Sequence, residues 1–274
     1  MTNPVIVVGG TAIDMGTAAS LRRLAVQRRV GMLNTFAAKG LFAWDDPAHL
    51  GTIGLQVGDL ELAGLRDADV LLVGVPDHEI GRDWLRSVGA RCHEVEAGDL
   101  PTLIEPNDGP TPRPELYGAL AAVCGPMYAD ATLPMNPARA AADLAAWLPV
   151  GGVVQAARDA AGFWLGRTFP TRELGSVRFG PGIDARPVTV HVVSGGSNWT
   201  GVAERVDAGV AVVEVWSADG PAITPTERLE RLAAGVARGR GAVFELGVDS
   251  AALDALIAVA GEPLWGAPIE RPTL

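Results

Sequence analysis

The residues best placed for chemistry at the start of the chain lie in "VIVVGGT", Val5 to Thr11. Glycines that follow a first strand let backbone N–H groups and a helix N-terminus approach a pyrophosphate, so Gly9 and Gly10 are candidate phosphate contacts. The next glycine is Gly16, so a GxGxxG spacing is absent, and glycine at such a turn also serves turn geometry alone. Asp45 and Asp46 form a carboxylate pair, but adjacent acids before Pro47 fit the capping of a turn better than a shared proton. The four histidines, His49, His78, His93 and His191, stand singly, and a lone histidine in a strand such as "TVHVV" fits a core position better than a base. "GSNW" around Ser197 lacks the GxSxG of a nucleophile elbow. Cys92 and Cys124 form no CxxC and signal neither zinc nor a disulfide framework. The only lysine, Lys39, lies within "NTFAAKGLFAWDDPAHLGTIG", Asn34 to Gly54. That glycine-punctuated stretch reads as a loop, and Lys39 in it as structural.

The elements that must position these residues alternate. "PVIVVGG" reads as a strand, "TAIDMGTAASLRRLAVQRR" as a helix with apolar positions at helical spacing, and "VGMLNT" as a second apolar segment. "LELAGLRDADVLLVGVP" reads as a helix running into a buried parallel-type strand, and "DWLRSVGARCHEVEA" repeats that order. Strands alternating with helices argue for a parallel sheet covered on both faces, a Rossmann-like domain over residues 1–105. Residues 106–136 are proline-rich and read as an interdomain connector with one short helix. Residues 137–274 read as a second, smaller α/β domain. Its strands are "GGVVQAA", "PVTVHVVSGG", "VAVVEVWSADG" and "GAVFELGVD". Its helices are "PARAAADLAAWLP", "NWTGVAERVDAG", "TPTERLERLAAGVARG" and "SAALDALIAVAG", the third opened by a Thr cap and a Pro at the first helical position.

The 274 residues suggest two domains. Net charge is −10, and the arginines are scattered among acids; this is not the electrostatic footprint of a nucleic-acid binder. No apolar run reaches the ~20 residues of a membrane span and the opening residues form no signal peptide. A soluble, cytoplasmic protein is expected.

The Asn34–Gly54 stretch resembles a recurring pattern in the central domain of thiamine-diphosphate enzymes of the acetolactate synthase group. The residues that carry the likeness are Asn34-Thr35, Ala38-Lys39-Gly40, Phe42, Asp45-Asp46-Pro47, Leu50-Gly51 and Gly54. "LAGLRDADVLLVGVP" and "HEVE" resemble the strands that follow in that group, so the likeness spans residues 1 to about 100. It implies that the stretch crosses the mouth of the sheet. It also implies an FAD or ADP site at the carboxyl ends of the strands, at Gly9, Gly10, Thr11, Asn34, Thr35, Gly74, Asp77 and Glu96. Where FAD-binding relatives carry an arginine, this chain has Val75-Pro76.

"MNPARAAADLAAWLPVGGVVQAARDAAGFWLGRTFP" resembles the start of the same group's diphosphate-binding domain, with Asp159, Gly162, Phe163 and Trp164 at its turn. After that the likeness decays. The family's magnesium-binding "GDG" is Ser194-Gly195-Gly196 here, so Gly195 stands in place of the metal-binding aspartate, and the next strand ends in Ser217-Ala218-Asp219. Mg²⁺ is a hard cation that needs oxygen ligands, and Ser194, Ser197 or Asn198 would supply neutral ones only. No metal ligands are assigned. Nor is a catalytic residue, since the family's pyrimidine-binding domain with its glutamate is not found upstream of Val5. The resemblance implies thiamine diphosphate and Mg²⁺ only with a partner chain, and a homo-oligomer or a hetero-oligomer with a pyrimidine-domain subunit. Three readings follow: a subunit of a split carboligase or decarboxylase, a non-catalytic nucleotide- or partner-binding module, or an enzyme with a new site in the interdomain cleft.

Overall fold

The protein is described from a computed structural model, over residues 4–180, 188–195, 206, 210–239 and 241–265. The chain divides into two compact units. The first comprises Met1–Ala121, Thr171–Leu174 and Ile257–Leu264, and the second Ala122–Pro170, Gly175–Leu256 and Trp265–Leu274.

The first unit holds a five-stranded parallel sheet with the order β3-β2-β1-β4-β5. Its strands are β1 (Val5–Val8), β2 (Met32–Thr35), β3 (His49–Ile53), β4 (Asp69–Val73) and β5 (Arg91–Glu94). Successive strand residues point to opposite faces, and both faces are buried. Val7, Leu33, Val70 and Leu72 pack on one side with Leu60, Leu85, Leu116 and Ala260. Ile6, Val8, Met32, Leu71 and Val73 pack on the other with Ala18, Leu21 and Leu24. Those last three belong to helix α1 (Met15–Arg28), which starts where the Asp14 carboxylate accepts Thr17 N–H at 2.7 Å and stops at Arg29 in the left-handed region, φ 56°. Short helices α2 (Asp59–Leu62) and α3 (Arg82–Ser87) link the later strands, and α4 (Leu100–Leu103) follows β5. Helix α5 (Glu115–Ala129) follows in the stretch read as a connector, and the polypeptide passes from the first unit to the second within it.

One expectation needs correction. The stretch Asn34–Gly54 is not a loop throughout: it rejoins the sheet as edge strand β3, in register with β2 from Met32↔His49 to Thr35↔Ile53. A register shift between Met32 and Leu33 and the Gly51 backbone at φ +133° explain why the strand lacks a period-two signature.

The second unit holds another five-stranded parallel sheet, with the order β10-β9-β8-β6-β7. It consists of β6 (Val153–Ala156), β7 (Val177–Phe179), β8 (Thr189–Ser194), β9 (Val212–Ser217) and β10 (Ala242–Gly247). Four of these follow from the sequence; β7, only three residues long, does not. Among the described residues each unit therefore holds one five-stranded parallel sheet. Helices α6 (Pro137–Trp147), α7 (Ala160–Thr168) and α8 (Pro225–Arg238) accompany the strands, and α9 (Leu253–Ala260) begins in this unit and ends in the first. The helix expected over "NWTGVAERVDAG" lies outside the described residues, Val206 excepted. Inside this unit Glu214 of β9 and Arg228 of α8 are both fully buried and form a bidentate pair, with N–O distances of 2.5 and 2.8 Å. Arg228 Nη1 also donates to the Ala140 carbonyl of α6 at 2.7 Å, joining two helices to the sheet.

Candidate functional site

In the first sheet the chain leaves β1 toward one side and returns through β4 on the other. The carboxyl ends of these two strands therefore frame the crevice where open α/β sheets take ligands. Gly9, Gly10, Thr11, Thr35 and Gly74 converge there. The backbone donors of the turn are fully accounted for. Gly9 N–H donates to Val73 O at 2.9 Å, Thr11 N–H to Gly74 O at 3.2 Å, Ala12 N–H to Gly9 O at 3.2 Å and Ile13 N–H to Gly10 O at 3.2 Å. Gly10 N–H donates to the Glu79 carboxylate at 3.0 Å, and Thr35 Oγ1 donates to the same oxygen at 2.5 Å. Thr11 Oγ1 adds a bond to Gly74 O at 2.7 Å. Gly74 adopts φ +55°, and a Cβ on it would lie 2.4 Å from Ala12 N, so only glycine lets the two turns meet this closely.

Glu79 arrives through a turn in which its N–H and that of Ile80 both donate to Pro76 O. It is 8% exposed, and His78 Nε2 lies 3.9 Å from its Oε1. The N-terminus of α1 is likewise served by the protein's own carboxylate: hydrogen bonds from the Thr17 backbone and then from its side chain hold Asp14 below the usual carboxylate range. Asn34 points away from this cluster, as its neighbour position on β2 requires. Its Nδ2 donates to Thr35 O and Thr52 Oγ1 at 2.8 and 3.1 Å.

A cavity of about 380 Å³ opens beside the turn, lined by Thr11, Gly74, Arg82, Glu94, Glu96 and Asp99 among others. Arg82 is committed: its guanidinium donates to Val75 O at 2.6 Å and to Glu94 at 3.0 and 3.1 Å, and lies 3.4 Å from Asp77. Asp77 is thus a partner of Arg82, and Glu96 stands exposed at the rim.

Lys39 is buried, and its charge is felt at His49. Burial first, then the charges of Lys39 and Arg113, push the His49 imidazole down to about 3. Its ring meets Tyr117 edge-on at 6.1 Å, and its buried Nδ1 has no hydrogen-bond partner among the described residues.

In the second unit Asp159 and Gly162 sit at the turn from β6 into α7. Asp159 Oδ1 accepts Gly162 N–H at 2.8 Å and Oδ2 accepts Ser194 N–H at 3.0 Å, while Ser194 Oγ accepts Ala161 N–H at 2.8 Å. Both carboxylate oxygens therefore tie the end of β8 to the start of α7. Gly195 continues the pairing of β8 with β9: its N–H donates to Trp216 O at 2.6 Å. A Cβ on Gly195 would lie 2.7 Å from Ser217 Cβ and 3.2 Å from Trp216 O.

Comparison with known proteins bears on this geometry. Residues 1–80 match the family described as thiamine pyrophosphate enzyme, central domain. They form a central domain of that family. Among solved structures, the Rhodococcus jostii RHA1 thiamine diphosphate-dependent 4-hydroxybenzoylformate decarboxylase is similar to this chain, with a TM-score of 0.60 at 15% identity. Benzoylformate decarboxylase from Polynucleobacter necessarius is similar at a TM-score of 0.60 and 10% identity. Each likeness covers 90% of this chain and 62% of the other, so this chain spans less than two thirds of either decarboxylase and shares its fold. No curated protein matches the sequence.

The fold family implies thiamine diphosphate held through a divalent cation, and the described residues at the end of β8 do not fit that group. The Asp159 oxygens are taken by backbone N–H groups, Gly195 offers no carboxylate, and a side chain there would collide with β9. Among the described residues no three His, Cys, Asp or Glu side chains gather to hold a metal. Ser197 and Asn198, the neutral alternatives, lie outside the described residues. Sequence reasoning missed two residues of the first unit, Glu79 and Arg82. Both belong to the charged run "DHEIGRD" after Pro76, a turn signal, yet the contact from Glu79 to Gly10 spans 69 positions and no local pattern reveals it.

Proposed function

We propose that this chain is a scaffold subunit of a split thiamine-diphosphate carboligase or decarboxylase: it does not hold the cofactor by itself, and another polypeptide supplies the pyrimidine-binding domain. The observation that carries the reading is Gly195, whose N–H is bonded to Trp216 O and whose Cα has no room for the acidic side chain that would anchor a diphosphate through Mg²⁺. The central-domain match and the shared fold of both units support descent from a cofactor-binding enzyme. The tie between Asp159 and Ser194 supports a retained architectural role, since it stabilises the β6–α7 and β8 ends without any ligand.

Calorimetric titration of thiamine diphosphate with Mg²⁺ tests this. The isolated chain gives no saturable heat, whereas a coexpressed complex with a chain carrying a pyrimidine-binding domain elutes as one species and binds the cofactor in a Mg²⁺-dependent way. Mg²⁺-dependent binding to the isolated chain, or no association with such a chain, refutes the proposal.

A further inference from the structure

The turn after β1 has the position of a phosphate cradle, yet its donors are spent within the protein, and one of them is spent on an anion. We propose that the Glu79 carboxylate is a built-in anion that fills the phosphate position of the central domain and closes it to FAD, ADP and other dinucleotide or nucleoside-diphosphate ligands. Three observations converge. First, Glu79 Oε2 accepts from Gly10 N–H at 3.0 Å and from Thr35 Oγ1 at 2.5 Å, the backbone-and-hydroxyl pair that a phosphate oxygen would use. Second, the carboxylate presses on the turn itself: a Cβ on Gly10 would lie 2.6 Å from Glu79 Oε1, so the space above Gly10 is already filled. Third, the adjoining cavity offers no compensating cation, because Arg82 is bonded to Val75 O and to Glu94 and faces Asp77, while Glu94, Glu96 and Asp99 line the wall. A diphosphate entering here would have to break both Glu79 bonds and then sit beside the displaced carboxylate and three more, with like charges opposing it throughout.

The carboxylate also has a structural reason to stay. At 8% exposure, an acid whose hydrogen bonds come from a strand end and a glycine turn pins the loop after β4 onto β1 and β2. The glycine pair thus serves close approach by a side chain of this chain rather than by a ligand.

Calorimetric titration of ADP into the full chain, its Glu79→Ala variant and its Glu79→Gln variant tests the proposal, with adenosine as the phosphate-free control. The unaltered chain shows no saturable ADP binding. Glu79→Ala binds ADP at least tenfold more tightly than the unaltered chain and gains nothing for adenosine. Glu79→Gln gains less, because the amide oxygen still meets Gly10 N–H. ADP binding by the unaltered chain, a folded Glu79→Ala variant without a gain, or an equal gain for adenosine each overturn the proposal. Should Glu79→Ala fail to fold, hydrogen exchange of the Gly10 amide in the unaltered, ligand-free chain decides. Strong protection is expected from the bond to Glu79, and exchange at the rate of an unstructured amide refutes it.

Discussion

Acidification should destabilise the first unit through His49. The imidazole is 9% exposed, its Nδ1 lacks a hydrogen-bond partner among the described residues, and the cations Lys39 and Arg113 oppose a third positive charge beside them. Its folded value is about 3 against an ordinary 6.5, so between those limits the unfolded chain binds a proton that the folded chain refuses. A group depressed on folding contributes stability above its unfolded value and loses it as the pH falls. The loss from this one residue is ~2 kcal/mol between pH 7.5 and 5.0, approaching a slope of ~1.4 kcal/mol per pH unit near the lower end. The carboxylates held low by hydrogen bonds or ion pairs, Asp14, Asp69 and Asp130, titrate below this window and add little within it. The assay is urea denaturation followed by tryptophan fluorescence at pH 7.5, 6.0 and 5.0, on the unaltered chain and on His49→Gln. The variant carries no titrating ring, so its stability should fall by ~2 kcal/mol less over the same interval, whatever its absolute value at pH 7.5. Parallel pH curves for the two proteins would refute the reasoning, because the proton uptake would then belong elsewhere.

The second unit yields three further predictions. Arg228→Met leaves the Glu214 carboxylate fully buried without its partner and costs ~3–5 kcal/mol, measured by chemical denaturation, whereas the double change with Glu214→Leu recovers much of that loss. Asp159→Ala removes the cap on Gly162 N–H and the acceptor for Ser194 N–H together, a loss of ~2–4 kcal/mol by the same measurement, while Asp159→Asn recovers part of it. Gly195→Asp places a Cβ 2.7 Å from Ser217 Cβ; thermal unfolding should show destabilisation of ~1–3 kcal/mol, and calorimetry no gained affinity for Mg²⁺ with thiamine diphosphate.

What the sequence shows of this protein divides along a physical line. Elements built from local pattern were legible: the β-branched runs of β1, β4, β8 and β9 are buried on both faces and read as near-continuous apolar segments, which a doubly covered parallel sheet requires. Elements whose signal is supplied by tertiary contact were not. β3 carries His49, Gly51 and Thr52 in five residues and is held by pairing with β2 rather than by propensity, and β7 is too short to show any period. The same division runs through the candidate sites. Gly9 and Gly10 could be placed at a strand-to-helix turn from spacing alone, because turn chemistry is local. Which acceptor answers Gly10 N–H is decided by a loop 69 residues away, so the motif that invites a phosphate and the carboxylate that occupies the phosphate's place are invisible to one another in the sequence. At Gly195 the two levels meet differently: the lack of a side chain is legible as a residue type, but only the bond to Trp216 O shows that β8 closes onto β9 there.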